Sequence, residues 1–445
     1  MRNYELEVPI SKNNDALEKD DEKCIICGYC KKVCTNDITV ARMFEIKKNI
    51  EPICIDCGQC ANICPTEAIH EKFDYKKVKK ILHNKNGKTI IFSVAPAVRV
   101  ALGEDLGLNV GINVEKKIPA MLKKLGADYV FDITFGADLT IMEEAMEFVS
   151  RIKNKDKLPM FTSCCPAWVK YAEIFYPELL PNLSTAKSPI SIQSAIIKTF
   201  FAKEKGLNPE DIIHIVIAPC TAKKAEIKRE ELKPQTDYIL TTREFANLLK
   251  EEQVDISNII DNDFDIPFET GSGSGVLFGN SGGVLEAALR TAYYYLTGKN
   301  LTKEELTFTE LRGMKGIKES KIIINDKTIK VVACNGMKNA KTIIDKVIKK
   351  ESDYDFIEVM NCFGGCISGG GQPKITMLDM NDTKVSRMNS IYDEDEIMTL
   401  RLCHENPEII YIYEKYLEKP NSNLSKELLH TTYYNKSYLI GGKND

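Results

Sequence analysis

The sequence predicts an α/β body of two lobes with mainly parallel sheets, preceded by a small α+β module. Three observations carry that expectation. Two cysteine runs of identical spacing sit near the N-terminus, strands then alternate with helices over about 350 residues, and the composition supplies ample core. Of the 445 residues, 43% are hydrophobic and 28% charged, a globular balance. Sixty basic against 64 acidic residues leave a formal charge of −4, so no nucleic-acid partner is expected. The longest apolar runs, such as Ile212–Ala218, fall far short of the ~20 residues a membrane span needs, so no membrane insertion is expected.

Residues 1–20 read as a polar lead-in. The stretch MRNYELEVPISKNND lacks the apolar core of a signal peptide, so the 15 cysteines are expected to stay reduced in the cytoplasm. Metal ligation or redox chemistry is then their first use. Residues 21–80 form the module. Cys24, Cys27, Cys30 and Cys34 make one run, and Cys54, Cys57, Cys60 and Cys64 the other, each spaced C-x2-C-x2-C-x3-C. At 15 cysteines in 445 residues, one such run arises by chance at roughly 4 in 10⁵, so two exclude coincidence.

This is the spacing of bacterial ferredoxins, in which three thiolates of a run hold one 4Fe–4S cube and the fourth reaches the other cube. Cys24, Cys27, Cys30 and Cys64 are therefore assigned to one accessory cluster, and Cys54, Cys57, Cys60 and Cys34 to a second. Gly28 and Gly58 supply permissive backbone inside the turns. Two four-cysteine zinc knuckles are the alternative, although zinc favours two C-x2-C pairs with a longer spacer. The charged helical stretch EKFDYKKVKKIL closes the module.

Residues 81–445 form the body. KTIIFSVAP, ADYVFDITF, DIIHIVIAP, DYIL and DFIEVM read as strands, and KIIIN-D-KTIKVVA as a hairpin closed by Asn325 and Asp326. VEKKIPAMLKKLG and LTIMEEAMEFVSRI read as helices, and the tail after Lys419 as a polar surface wrap. Cys165, Cys220, Cys362 and Cys366 follow strand ends, where loops of parallel sheets converge on a ligand crevice. Four thiolates delivered there suit a third cubane, with buried packing cysteines as the plain alternative. The Gly-rich stretch Gly364–Gly371 would let backbone approach a bulky inorganic group closely. GSGSGVLFGNSGG lacks a preceding strand, so a nucleotide loop is not supported. Cys334 and Cys403 read as packing residues.

TSCCPAW (162–168), APCTAKK (218–224) and EVMNCFGGCISGGGQP (358–373) resemble the three signature loops of the FeFe-hydrogenases. APAVRVALGE (95–104) and FGADLTIMEEA (135–145) match as well, and the resemblance spans roughly residues 20–410. It implies reversible reduction of protons to H₂ at an H-cluster. That cofactor is a 4Fe–4S cube bridged to a diiron unit with CO, cyanide and azadithiolate ligands. By resemblance, Cys165, Cys220, Cys362 and Cys366 hold the cube, and Cys366 bridges to the diiron unit. Lys223 donates to a cyanide, while Met360, Ala95 and Pro96 border the cofactor. Cys164 is the proton-relay thiol, followed by Glu144, Ser184 and Glu147. Read alone, Glu143 and Glu144 would pass for surface acids.

The resemblance also implies a ferredoxin or similar one-electron carrier as partner, maturation proteins that insert the diiron unit, and an anaerobic cytoplasm. An H₂ sensor carrying the same cofactor, or an iron–sulfur assembly factor, is the competing expectation. Several positions depart from the common family pattern: Ala167 replaces Gly, Ala218 replaces Met, Ile190 and Ser191 replace glutamines, and Phe363 replaces a small or polar residue. These changes touch groups that tune potential and access, which points to a divergent catalytic subgroup.

Overall fold

The computed structural model describes residues 6–43, 52–269, 271–324, 327–375 and 379–440. Strands β1 (Leu17–Lys19) and β2 (Ile69–Glu71) pair antiparallel and brace the cysteine module. Residues 6–19 are therefore more than a polar lead-in. Val8, Ile10, Ala16 and Leu17 are buried against Cys60, Ala61 and Ile69, because so small a module must recruit apolar side chains wherever the chain offers them.

The body holds two four-stranded sheets built from β3 (Thr89–Val94), β4 (Tyr129–Asp132), β5 (Met160–Phe161), β6 (Ile212–Ala218), β7 (Tyr238–Thr241), β8 (Ile317–Ile324), β9 (Lys327–Asn335) and β10 (Phe356–Met360). One sheet, in order β4-β3-β6-β7, is parallel throughout; the other, β5-β10-β9-β8, is parallel except for its edge strand β8. Strands β8 and β9 form the expected antiparallel hairpin, while its turn at Asn325 and Asp326 lies outside the described residues. The apolar runs of β3, β6 and β10 are buried on both faces, as parallel strands under helices require, whereas the antiparallel edge strand β8 exposes Ile323.

One expected strand is shorter than its pattern. ADYVFDITF leaves the sheet at Asp132, whose carboxylate accepts the Thr134 N–H and caps a 22-residue helix, Ile133–Asn154. Capping chemistry overrides the β-branched residues that follow. This helix is buried along most of its length and carries Glu143, Glu144 and Glu147.

A second helix, Met380–Ile397, ties the lobes to the last signature loop. Its Arg387 is fully buried, grips Glu104 with Nε and Nη2 at 2.7 and 2.5 Å, and donates from Nη1 to the Ile367 carbonyl at 2.9 Å. Arg387→Met would strand a poorly solvated carboxylate and free that loop. The expected cost is about 3–5 kcal/mol, read as a lowered unfolding midpoint. An unchanged midpoint would show that the pair anchors nothing.

Candidate functional site

Gly28 and Gly58 take left-handed φ of 81° and 69° at the heads of the helices Tyr29–Asn36 and Gln59–Ile63. The turns fold each run tightly, which a side chain at φ > 0 would oppose. Cys24, Cys27, Cys30 and Cys64 line one pocket. Cys34 is within electrostatic reach of Cys54 and Cys60 as well as of Cys30 in its own run, and Cys57 is within reach of Cys60 and Cys54. Burial pushes the Cys54 thiol up to about 12 and Cys34 to about 11.

The module meets the body through that second group. Gln59 Nε2 donates to Cys362 Sγ at 3.2 Å and to the Ser368 carbonyl at 2.9 Å, and Cys57 is close enough to Cys362 to feel its charge. A Cβ on Gly58 would stand 2.4 Å from Thr221 Oγ1, and one on Gly370 would stand 2.2 Å from the Cys57 carbonyl. Glycine there lets two backbones touch. The Gly-rich stretch thus accommodates protein against protein at Gly370, where an inorganic neighbour was expected.

In the body, Cys164 and Cys165 follow β5, Cys220 follows β6, and Cys362 and Cys366 follow β10. Both sheets contribute, so the loops converge from the two lobes. Cys366 adjoins Cys220, Cys165 and Cys362. All five residues are half-buried, and burial raises every one of their thiol pKa values, Cys220 to about 12 and Cys362 to about 11. Cys334 and Cys403, by contrast, are 0% exposed.

Lys223 heads the turn after Cys220 and donates to Glu226 at 2.7 Å and to the Cys164 carbonyl at 3.2 Å. Burial would lower its pKa, but Glu226 and the thiols of Cys220 and Cys164 outweigh that and raise it, so the ammonium stays charged. Met360 is buried at the end of β10, and Ala95 and Pro96 at the end of β3.

Cys164 lies beside Glu144. Ser184 reaches both carboxylates: it bonds Glu144, and its Oγ donates to Glu147 Oε2 at 3.3 Å. Glu144 is 1% exposed, and its Oε2 has no hydrogen-bond partner. Burial, with smaller contributions from Glu147 and Glu358, raises its pKa to about 8 against the Ser184 hydrogen bond. Glu147 Oε1 accepts from Arg151 Nη2 at 2.6 Å, and its Oε2 accepts from the Thr185 amide and hydroxyl, both at 2.9 Å.

The tail after Lys419 is no mere surface wrap. The helix Asn423–Leu429 and the residues beside it bring Asn421, Ser425 and His430 onto Glu143, which is 0% exposed, and Tyr433 onto the Ser184 carbonyl. Sequence reasoning missed Gln59, Arg151, Thr185 and His430. Their partners lie far away along the chain, so no local pattern could mark them, except that Arg151 stands at i+4 from Glu147.

The donor set fits iron–sulfur groups. The thiols of Cys54, Cys57, Cys60, Cys165, Cys220, Cys362 and Cys366, which burial keeps protonated, need a cationic core to ionise, and Asn361 Oδ1 and Ser368 Oγ, near the last two cysteines, are buried without hydrogen-bond partners. Among the described residues no three His, Cys, Asp or Glu side chains close on a single-ion site. Thiols around a cube stand apart and need not do so.

A two-group thiol module seated on a five-thiol crevice between parallel sheets defines an iron–sulfur oxidoreductase. Comparison makes it specific. Residues 88–370 match the C-terminal domain of the iron-only hydrogenase large subunit, 381–436 the iron hydrogenase small subunit, and 16–81 a 4Fe-4S dicluster domain. Iron hydrogenase 1 of Clostridium pasteurianum is 38% identical over 95% of this chain and 77% of its own length. A solved variant of the FeFe-hydrogenase HydA1 of Chlamydomonas reinhardtii shares 38% identity at a TM-score of 0.71, covering 81% of this chain and 98% of that one. A cytosolic Fe-S cluster assembly factor of Danio rerio is 29% identical over 83% of this chain and 92% of its own length. The chain belongs to the iron-only, or FeFe-, hydrogenase family, and it is a hydrogenase enzyme. Among the described residues no helix is long and apolar enough to cross a membrane.

Proposed function

We propose that the chain interconverts two protons and two electrons with H₂ at an H-cluster, exchanging electrons with ferredoxin through two accessory 4Fe–4S clusters, in an anaerobic cytoplasm. The juxtaposition of Cys164 and Glu144 beside the four cube-binding thiols carries this reading. When bound, the diiron unit supplies the iron site of H₂ chemistry and an amine that exchanges the proton; maturation proteins would insert it.

The chain's own residues supply the rest. Cys165, Cys220, Cys362 and Cys366 would hold the cube, and Cys366 would also serve the diiron unit. Lys223, kept charged by Glu226, directs its ammonium at an anionic ligand. Met360, Ala95 and Pro96 border the cofactor and help exclude water. Cys164 passes a proton to Glu144, and Ser184 carries it on to Glu147 by short hops. Electrons enter near Cys27, which is exposed beside Ile25, Ile26 and Tyr29, cross to the Cys54 group, and reach Cys362 through its contacts with Cys57 and Gln59.

The likeness to an assembly factor favours a second reading, a cluster scaffold. A buried acid with pKa about 8 next to a free thiol favours proton transfer over scaffolding. Infrared spectra of anaerobically matured protein separate the two: CO and cyanide stretching bands are expected, and their absence would exclude the H-cluster. Cys54→Ala is expected to lower iron content and slow ferredoxin-linked turnover. Full iron and full ferredoxin-linked rates would refute the ligand assignment.

A further inference from the structure

Glu147 is the outermost acid of the relay just described, and its two oxygens meet different fates. Oε1 is capped by Arg151, whose Nε and Nη2 approach at 3.1 and 2.6 Å. A guanidinium holds its protons at any working pH, so no proton leaves that way. Oε2 faces Ser184 on the inner side and Thr185 on the outer. Thr185 Oγ1 is also 2.7 Å from Nδ1 of His430, whose Nε2 is 3.0 Å from Glu143 Oε2. Glu143 Oε2 already accepts the Asn421 amide at 2.7 Å and the Ser425 hydroxyl at 3.2 Å, and its Oε1 accepts the Tyr413 hydroxyl at 2.6 Å.

We infer that Thr185 and His430 form a proton outlet from the Oε2 side of Glu147, which Arg151 does not cap. A hydroxyl has one proton to give. While Thr185 donates to Glu147, His430 Nδ1 must donate to Thr185. Glu143, surrounded by donors, accepts from Nε2. The ring then carries both protons and Glu147 none. If the Nδ1 proton moves to Thr185 Oγ1 while the Thr185 proton moves to Glu147 Oε2, the ring becomes neutral and Glu147 becomes a neutral acid. The two hydrogen bonds along the shift survive with their direction reversed, those from Nε2 to Glu143 and from the Thr185 amide to Glu147 are unchanged, and total charge is conserved. Outward transfer is the same shift run backwards.

His430 gives Glu147 a second outlet to water: its side chain keeps 9% exposure, beside 13% for Glu147 and none for Glu143. The groups facing it are Thr185 and, through that hydroxyl, Glu147 with its Arg151 cap; Glu143 from the same helix as Glu147; and Tyr413 behind Glu143. Glu143 and Tyr413 hold the ring in orientation and are not themselves on the path.

The inference rests on the reading of Glu147 as part of the relay, so its test has an arm that needs no turnover. With five histidines in the chain, selective ¹⁵N labelling followed by His430→Gln assigns the His430 signals by their loss. In protein lacking the H-cluster, Glu147→Gln is expected to move the His430 titration midpoint. In matured enzyme, Thr185→Val keeps the shape without the hydroxyl, and His430→Gln keeps an N–H donor for Glu143 without a titratable ring. Each is expected to lower H₂ turnover by about 10-fold or more and raise the solvent isotope effect, while Thr185→Ser restores both. Wild-type turnover in Thr185→Val and His430→Gln would overturn the path. So would a His430 midpoint indifferent to Glu147→Gln, even with turnover lost, because His430 would then be a structural residue. If the wild-type protein makes no H₂ yet the midpoint moves, the proton link stands and the hydrogenase reading of the site fails.

Discussion

Cys164→Ala is expected to lower H₂ turnover by about two to four orders of magnitude while leaving the cofactor in place. The loop does not need the sulfur to hold its shape, since Lys223 fixes it through the Cys164 carbonyl. The neighbouring Cys165 is untouched, so the cube keeps its ligands. The thiol is within electrostatic reach of Glu144, Cys165 and Cys366, and burial holds its pKa well above the ordinary thiol value, so it keeps its proton until a partner takes it. Alanine removes the only group at that position able to hand a proton on. Infrared bands of normal intensity with turnover nearly abolished would support the relay, whereas undiminished turnover would refute it.

Glu144→Gln is expected to cost about two to three orders of magnitude. Glutamine matches the shape and can still bond Ser184, but it cannot accept and release a proton. The pH response follows from burial. With a pKa of about 8, Glu144 is protonated below that pH and ionised above it. Proton delivery for H₂ evolution should therefore fade as pH rises through about 8, and uptake, which needs an empty carboxylate, should gain over the same range. The Gln variant should lose both limbs at once. A Gln variant with the wild-type pH profile would place the proton path elsewhere.

The local features of this chain were legible in its residues, and the long-range ones were not. Cysteine spacing is set by turn geometry over a few residues, and it brings Cys34 within electrostatic reach of Cys54 and Cys60. Strand ends could be read because β-branched apolar runs stop at Pro96, Pro219 and Asn361. Charge alone could not place an acid inside or outside. Glu143 passes for a surface residue in sequence, yet Tyr413, Asn421, Ser425 and His430 close over it from the far end of the chain. Glu144 and Glu147 were picked out only through family resemblance, for the same reason. The N-terminal segment was misread for want of a pattern: four buried apolar residues scattered through a polar stretch show no period, and only pairing of β1 with β2 gives them a core to join.

The central claim is that this thiol-lined crevice, once matured, makes H₂. Hydrogen evolution from reduced methyl viologen under strict anaerobiosis, by protein matured to full infrared CO and cyanide bands, tests it most directly. Sustained evolution from the wild-type chain, nearly lost in Cys164→Ala, is the result the account predicts. Full bands with no evolution above that of the Cys164→Ala variant would contradict it.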